Sequence, residues 1–418
     1  MLKPMFYTLA ILTLGVTCMA GNVSVRMTDG QTQPGTIEIR GVGAGDFDPS
    51  IWRSGKLNMV ADARSPLIEP RQGPCRNIYA PSIVDLGTSW RVFYGAWDGV
   101  ETGNDRIYSL TTSDFIDFGP RQTVIEHGVF QHVCNVSAQR LPDGSYRLMC
   151  TAYPDKDGLN KPATFTSPDG AVWNGSPAPY AAQMSDIISI DGYDKFQAAD
   201  INGMNVILYE DGVFRLYFNN FKDFGRVYRA TSKDGKQFKY EGTSVEFAAF
   251  VNDVKKFSVK GKPVYLMGLH RNCDKLWYSI STDGMKFDAP LELGSNIGAG
   301  DRYIVAIGWV TRGNRVLGCL YGAGADSGLA QNRIFGRWLQ KKVVFVASDG
   351  TRYEPTSAIG PDRQTLKIPQ GKAINGTFEL YAEDGITLLG KVAGKAEAGV
   401  YEVKCREVVE SLCSVVEP

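Results

Sequence analysis

The sequence predicts an all-β protein, a five-bladed β-propeller with a small C-terminal antiparallel β appendage, on three observations. An Asp-centred turn recurs at intervals of about 50–65 residues, each long enough for one four-stranded sheet. Every interval also holds short apolar runs that alternate with period two and are separated by turn residues. The 418 residues include 46 Gly, 20 Pro, 19 Tyr, 20 Phe and 7 Trp, a turn-rich and aromatic-rich mixture without a convincing amphipathic helix.

Residues 1–20 read as an export signal: Lys3 supplies the positive start, residues 5–16 are almost wholly apolar, and Ala20 precedes Gly21 as a small cleavage-site residue. A periplasmic or secreted protein is expected. A lipoprotein is the weaker alternative, because Thr17 is a poor fit before Cys18. The apolar stretch is too short for a membrane span, and no later segment approaches one. Residues 21–73 form an N-terminal segment with a hairpin, 47–52 and 57–61, that either closes the ring or makes a partial extra blade.

Residues 74–355 are assigned to the propeller. Each unit opens with an inner run and an aromatic second run: 78–84 and 90–97, 135–141 and 146–153, 204–209 and 214–219, 254–259 and 263–269, 303–310 and 316–321. The recurring turn is centred on Asp114, Asp169, Asp234, Asp283 and Asp349, with a small residue two before it and an aromatic four after it. Asp-Gly tolerates positive φ, and a hydroxyl before it bonds back to the turn. Residues 356–418 are expected to form the appendage, with strands near 365–367, 377–381, 386–392 and 399–404.

Lys and Arg together number 45, as do Asp and Glu. That balance supplies no basic stripe, so nucleic acid is not an expected partner. Beyond the signal, seven cysteines remain: Cys75, Cys134, Cys150, Cys273, Cys319, Cys405 and Cys413. An odd number leaves at least one free, while Cys134 with Cys150 or Cys405 with Cys413 are candidate bridges. No CxxC or His-rich spacing suggests a metal site. Nothing in the sequence fixes an oligomeric state.

In a blade, inner strands start at the face where second strands end, so one mouth collects the inner-strand starts and the loops 97–106, 153–161, 219–226, 270–275 and 322–333. That mouth is rich in carboxylates, amides, guanidiniums and aromatic rings. Asp98, directly after Trp97, and Asp253 are its favoured carboxylates; Asp105, Asp223, Asp301 and Asp326 have weaker cases. His132 and His270 also fall there.

The opening Ala80-Pro81-Ser82-Ile83-Val84, the aromatic run Trp90-Arg91-Val92-Phe93-Tyr94 and the Ser-x-Asp-Gly close resemble the five-bladed propeller glycoside hydrolases: arabinanases, β-xylosidases, β-fructosidases and anhydrogalactosidases. The resemblance covers roughly residues 46–355 and implies glycoside hydrolysis by carboxylates converging on a central funnel, about 5–10 Å apart. It carries the group's Asp-Pro-Ser-Ile base onto Asp48 in Asp48-Pro49-Ser50-Ile51, with Asp46 in reserve. The acidic Glu expected before the third blade's Asp-Gly turn is absent, since Gly203 stands there. Some anhydrogalactosidases use a His as acid, which makes His132 or His270 the substitute. Arg76, Asn77, Tyr79, Trp97, Arg106, Asn135, Asn219 and Asp301 are the expected substrate contacts. No cofactor is expected; a structural cation in the channel, seen in some of the group, has no motif here. The alternatives are a non-catalytic carbohydrate-binding propeller and a surface adhesion protein. A sialidase fits poorly, because its Asp box separates Asp from Gly.

Overall fold

Short turns between consecutive runs allow only antiparallel pairing with the chain neighbour, so the sheets are built in sequence order. The computed structural model describes residues 25–26, 36–40 and 45–406, apart from 155–157, 203–204, 329, 370–373 and 397–398. The expected signal (1–20) and Cys413 lie outside the described residues.

The first sheet comprises Ile78–Asp85, Trp90–Ala96, Arg106–Thr112 and Gln122–Glu126; the second, His132–Arg140, Tyr146–Tyr153 and Lys161–Ser167. The third runs through Val206–Glu210, Val213–Phe218, Arg226–Ser232 and Gln237–Glu246; the fourth through Phe250–Val259, Lys262–His270, Lys275–Ser281 and Leu291–Ser295. The fifth takes Tyr303–Arg312, Arg315–Gly324 and Arg333–Leu339 from late in the chain and its outer strand, Met59–Ala61, from the start. Each sheet shares an apolar core with the next. Phe93 and Trp173 join the first two, Met149 and Leu216 the second and third, Tyr217 and Val251 the third and fourth, Tyr278 and Trp309 the fourth and fifth. Tyr94, Phe115 and Trp338 join the fifth back to the first, so the sheets form a ring.

The hairpin expected at 47–61 closes that ring with its second half only. Its first half is a short helix, Pro49–Arg53, because Asp48 caps it and proline occupies its first turn. The propeller also ends earlier than expected. Lys342–Ala347 pairs with Ile374–Tyr381, placing Asp349 and its turn in the C-terminal unit. That unit is a two-sheet sandwich. Thr36–Arg40 runs parallel to Gly399–Arg406 in one sheet, and Leu388–Ala396 edges the other. Val343, Phe345, Leu366, Phe378 and Val403 fill the space between them.

The bridge between Cys134 and Cys150 is not formed. Both thiols are free, as are Cys75, Cys273 and Cys319. Cys134 lies opposite Thr151, whose sequence neighbour Cys150 points to the other face of the sheet. Among the described residues no helix is long and apolar enough to cross a membrane.

Candidate functional site

Inner strands approach one another closely around the axis and are stapled by side chains. Ser82 Oγ accepts from the Ala138 amide (2.9 Å), Ser137 Oγ from Ile207 (3.1 Å), and Asn252 Oδ1 from Ile307 (3.1 Å). The first, second, fourth and fifth inner strands each carry a register shift near the mouth, at Tyr79/Ser82, Cys134/Ser137, Val251/Asp253 and Ile304/Ala306. Such bulges re-aim side chains. The first two shifts hold Ala80 (φ 53°) and Asn135 (φ 55°) in equivalent left-handed conformations. Gly322 permits this crowding, since a Cβ there would lie 3.0 Å from Tyr79 Cα.

These bulges gather a polar cluster between the first and second sheets. His132 Nδ1 lies 3.0 Å from Asp105 Oδ2 and 3.1 Å from the Asp105 amide nitrogen, so a protonated Nδ1 donates to the carboxylate and a bare one accepts from the amide. The imidazole is 21% exposed and the Asp105 side chain 9%. Asp105 Oδ1 is buried without a hydrogen-bond partner. Tyr153 packs its ring edge on to His132, 5.4 Å between centroids, and donates to Asn202 Oδ1. Tyr79 and Cys134 share a hydrogen bond. Burial, then the nearby Asp105 carboxylate, raises the Tyr79 phenol and the Cys134 thiol well above their usual ranges. Burial, Cys134 and Asp105 do the same to Tyr153. These hydroxyls are therefore neutral donors at any ordinary pH.

The expected carboxylates fare differently. Asp48 is exposed and caps its helix through the Ser50 amide (2.8 Å) and hydroxyl (2.6 Å). Next to it, the Phe47 amide donates to Asn314 O, in the turn between first and second strands of the fifth blade, so Asp48 sits at the face opposite the mouth. Asp46 faces Arg315 there, at 3.7 Å. Asp98 is a buried anchor: it accepts from the Arg71 amide (2.8 Å), Tyr94 (2.9 Å) and Arg121 (2.9 Å), and pairs with the Arg71 side chain at 3.3 Å. Asp253 is buried between inner strands, accepting from the Trp309 amide (2.8 Å) and facing Lys255 at 3.3 Å; burial raises its pKa. Asp301 accepts from the Ile297 and Gly298 amides and Tyr321, which fixes the loop before the fifth blade. Asp48, Asp98 and Asp253 are thus committed to a helix cap, to arginines and to the Trp309 amide with Lys255.

His270 is buried, 2.8 Å from Asn252 Oδ1, and burial lowers its pKa to about 3, so it cannot serve as an acid near neutrality. Arg106 is committed to Glu126 at 2.5 Å, Asn77 accepts from the Asn332 amide, and Asn219 closes its loop through Val251, Arg226 and Ala249. Arg76, Tyr79, Trp97 and Asn135 remain partly exposed at the mouth. Asp105 had only a weak case in the sequence, and Tyr153 and Asn202 had none. Their signal was positional: Asp105 directly precedes a third strand and Tyr153 ends a second one, but their meeting with His132 crosses from one blade to the next.

No known protein family and no curated protein matches the sequence. Solved structures match in fold. The catalytic domain of an α-L-arabinofuranosidase from Coprinopsis cinerea is 15% identical, with 68% of this chain and 97% of that domain aligned at a TM-score of 0.50. A β-fructofuranosidase from Bombyx mori is 12% identical, with 86% of this chain and 92% of that one aligned at a TM-score of 0.46.

Proposed function

We propose that the protein is an exported glycoside hydrolase acting on an oligo- or polysaccharide at the propeller mouth, with His132 as its proton-transfer group and Asp105 as the residue that positions it. The observation that carries this reading is the Asp105–His132 pair, 3.0 Å apart at a partly open mouth. With Nδ1 held by Asp105, the Nε2–H of the imidazolium is left to protonate the glycosidic oxygen as its bond to the anomeric carbon breaks, while a water molecule adds to that carbon and its released proton restores the imidazolium. Tyr153, whose proton is already given to Asn202, keeps a phenol oxygen that accepts from a sugar hydroxyl, and partly exposed Tyr79 lines the same site. Trp97 offers a stacking face and Asn135 an amide. The fold shared with an α-L-arabinofuranosidase supports the substrate class.

A second reading, a non-catalytic carbohydrate-binding propeller, is favoured by Asp48, the expected base, being a helix cap at the face opposite the mouth. Release of reducing sugar from a panel of plant and algal oligosaccharides separates the two. Wild type is expected to turn over at least one substrate, and His132→Ala to lose about 10²–10⁴-fold in kcat. Asp105→Asn is expected to displace the pH profile while keeping the melting temperature. Binding without hydrolysis by wild type would establish the second reading, and an active His132→Ala variant would remove His132 from the mechanism.

A further inference from the structure

In the mouth-side loop between the second and third strands of the third blade, two phenylalanines stand in solvent. Phe221 is 37% exposed and Phe224 47%. Both rest on buried Phe250, at 4.8 and 4.9 Å between ring centroids, and Phe250 in turn packs on His270 at 5.1 Å. On the same side of the molecule Phe247 and Trp277 lie 6.1 Å apart, with the Arg271 guanidinium 5.2 and 5.7 Å from their ring centroids. All of these residues belong to mouth-side segments of the third and fourth blades.

The loop buries Asn220 and leaves both rings in solvent, the reverse of what their polarities favour. The Phe221 amide donates to Asp200 O (2.8 Å), and Asn220 Oδ1 accepts from the Lys222 and Asp200 amides. Asp223 accepts from Tyr228 (2.6 Å) and Lys195 (2.8 Å). The rings are thus held in place before anything binds, which limits the entropy lost on contact. A ledge of two rings is far smaller than the roughly 800 Å² per partner of a stable protein interface. It does fit the flat C–H face of a sugar ring, with charged groups at its rim for the hydroxyls.

We propose that this ledge is a second carbohydrate subsite, stacking sugar rings of a chain whose reacting end lies at His132. The inference rests on reading the mouth as a sugar site, and names an extended chain rather than a single sugar as the ligand. Affinity electrophoresis of the full-length mature protein in native gels containing soluble arabinan, xylan or carrageenan tests it. At least one polysaccharide is expected to retard wild type. The double variant Phe221→Ala with Phe224→Ala should need roughly tenfold more polysaccharide for the same retardation. The Phe221→Tyr with Phe224→Tyr pair should behave as wild type. Equal retardation of the alanine double variant would overturn the subsite, as would no retardation of wild type by any of the three, or a ring-dependent dimer in their absence. None of these outcomes requires turnover, so a failure to hydrolyse would sink the enzymatic reading alone.

Discussion

His132 and His270 both belong to the mouth side of their blades, yet their surroundings assign them opposite roles. His132 keeps an exposed edge and a carboxylate neighbour, whereas His270 is enclosed by Phe250 and Asn252. Burial drives the His270 pKa from its ordinary value near 6.5 down to about 3. Between those two values the unfolded chain binds a proton that the folded chain refuses, so this residue's contribution is intact above pH 6.5 and declines as pH falls toward 3. His270→Gln keeps a side-chain donor toward Asn252 without the titration. The stability gap between wild type and this variant, measured by urea unfolding, is therefore expected to move against wild type by on the order of 2 kcal/mol from pH 7 to pH 4.5. A gap independent of pH would show that His270 is not held neutral. Asp98 and Asp105 make a similar pair. Both adjoin the same loop, but Asp98 has every oxygen occupied by arginine, tyrosine or amide donors and Asp105 leaves Oδ1 without one. Sequence shows two loop aspartates and cannot show which donors fold on to each.

At the scale of the element, the recurring turn is a hydrogen-bonded unit. Ser232 Oγ accepts from the Gly235 amide at 2.9 Å and donates to Asp234 Oδ1, which accepts from Lys236 and Gln237 at 2.8 and 2.9 Å. Those amides, from Gln237 first, hold the Asp234 carboxyl down at about 2. Thr112, Ser167 and Ser281 repeat the arrangement. The preceding blade caps the turn: Arg91 donates to Gly170 O, Arg147 to Asp234 O and Tyr217 to Gly284 O. The Asp349 turn, which belongs to the sandwich, has Ala347 in the hydroxyl position, and its Gly350 amide bonds to the Ala347 carbonyl instead. The hydroxyl, rather than mere smallness, marks a blade, and reading the pattern as small-x-Asp-Gly extended the propeller too far. Ser232→Ala is expected to lower stability by about 1 kcal/mol in urea unfolding with unchanged m, and an unaltered midpoint would mean that the backbone alone forms the turn. The strands themselves were legible because period-two alternation and turn chemistry are local. Expected inner and second runs fall within a few residues of the observed strands in every blade, except that the second and fourth inner strands start three or four residues earlier. The helix at Pro49–Arg53 escapes the strand pattern because five residues are too few to show helical periodicity and its signal is only the local Asp-Pro-Ser cap.

For the molecule as a whole, ring closure and the sandwich depend on segments from opposite ends of the chain, which no local pattern reveals. They meet at Asp62, just past the closing strand. Its carboxylate accepts from Arg64 (Nη2 at 2.6 Å), from Trp338 Nε1 of the fifth blade (2.7 Å) and from the Gly360 amide of the sandwich (2.9 Å). Arg64 extends the junction to Phe115 O in the first blade's turn at 2.9 Å. Burial works against ionisation here, but Arg64 and the Gly360 and Trp338 donors outweigh it and hold the carboxyl below its usual range. The folded protein therefore releases this proton more readily than the unfolded chain. The stabilisation is complete above about pH 4 and is lost as pH falls through the lowered folded value. Asp62→Ala leaves Arg64 and the Trp338 indole without their acceptor at a point shared by first blade, fifth blade and sandwich. A cost of about 3–5 kcal/mol is expected at pH 7, shrinking below pH 4 where wild type loses the same interaction. Calorimetry distinguishes the consequences: if Asp62 couples ring closure to the sandwich, the variant's unfolding should broaden or split into two transitions, the sandwich melting apart from the propeller. A single transition at the wild-type temperature would show that the two units are joined by apolar packing instead, with Asp62 a satisfied bystander.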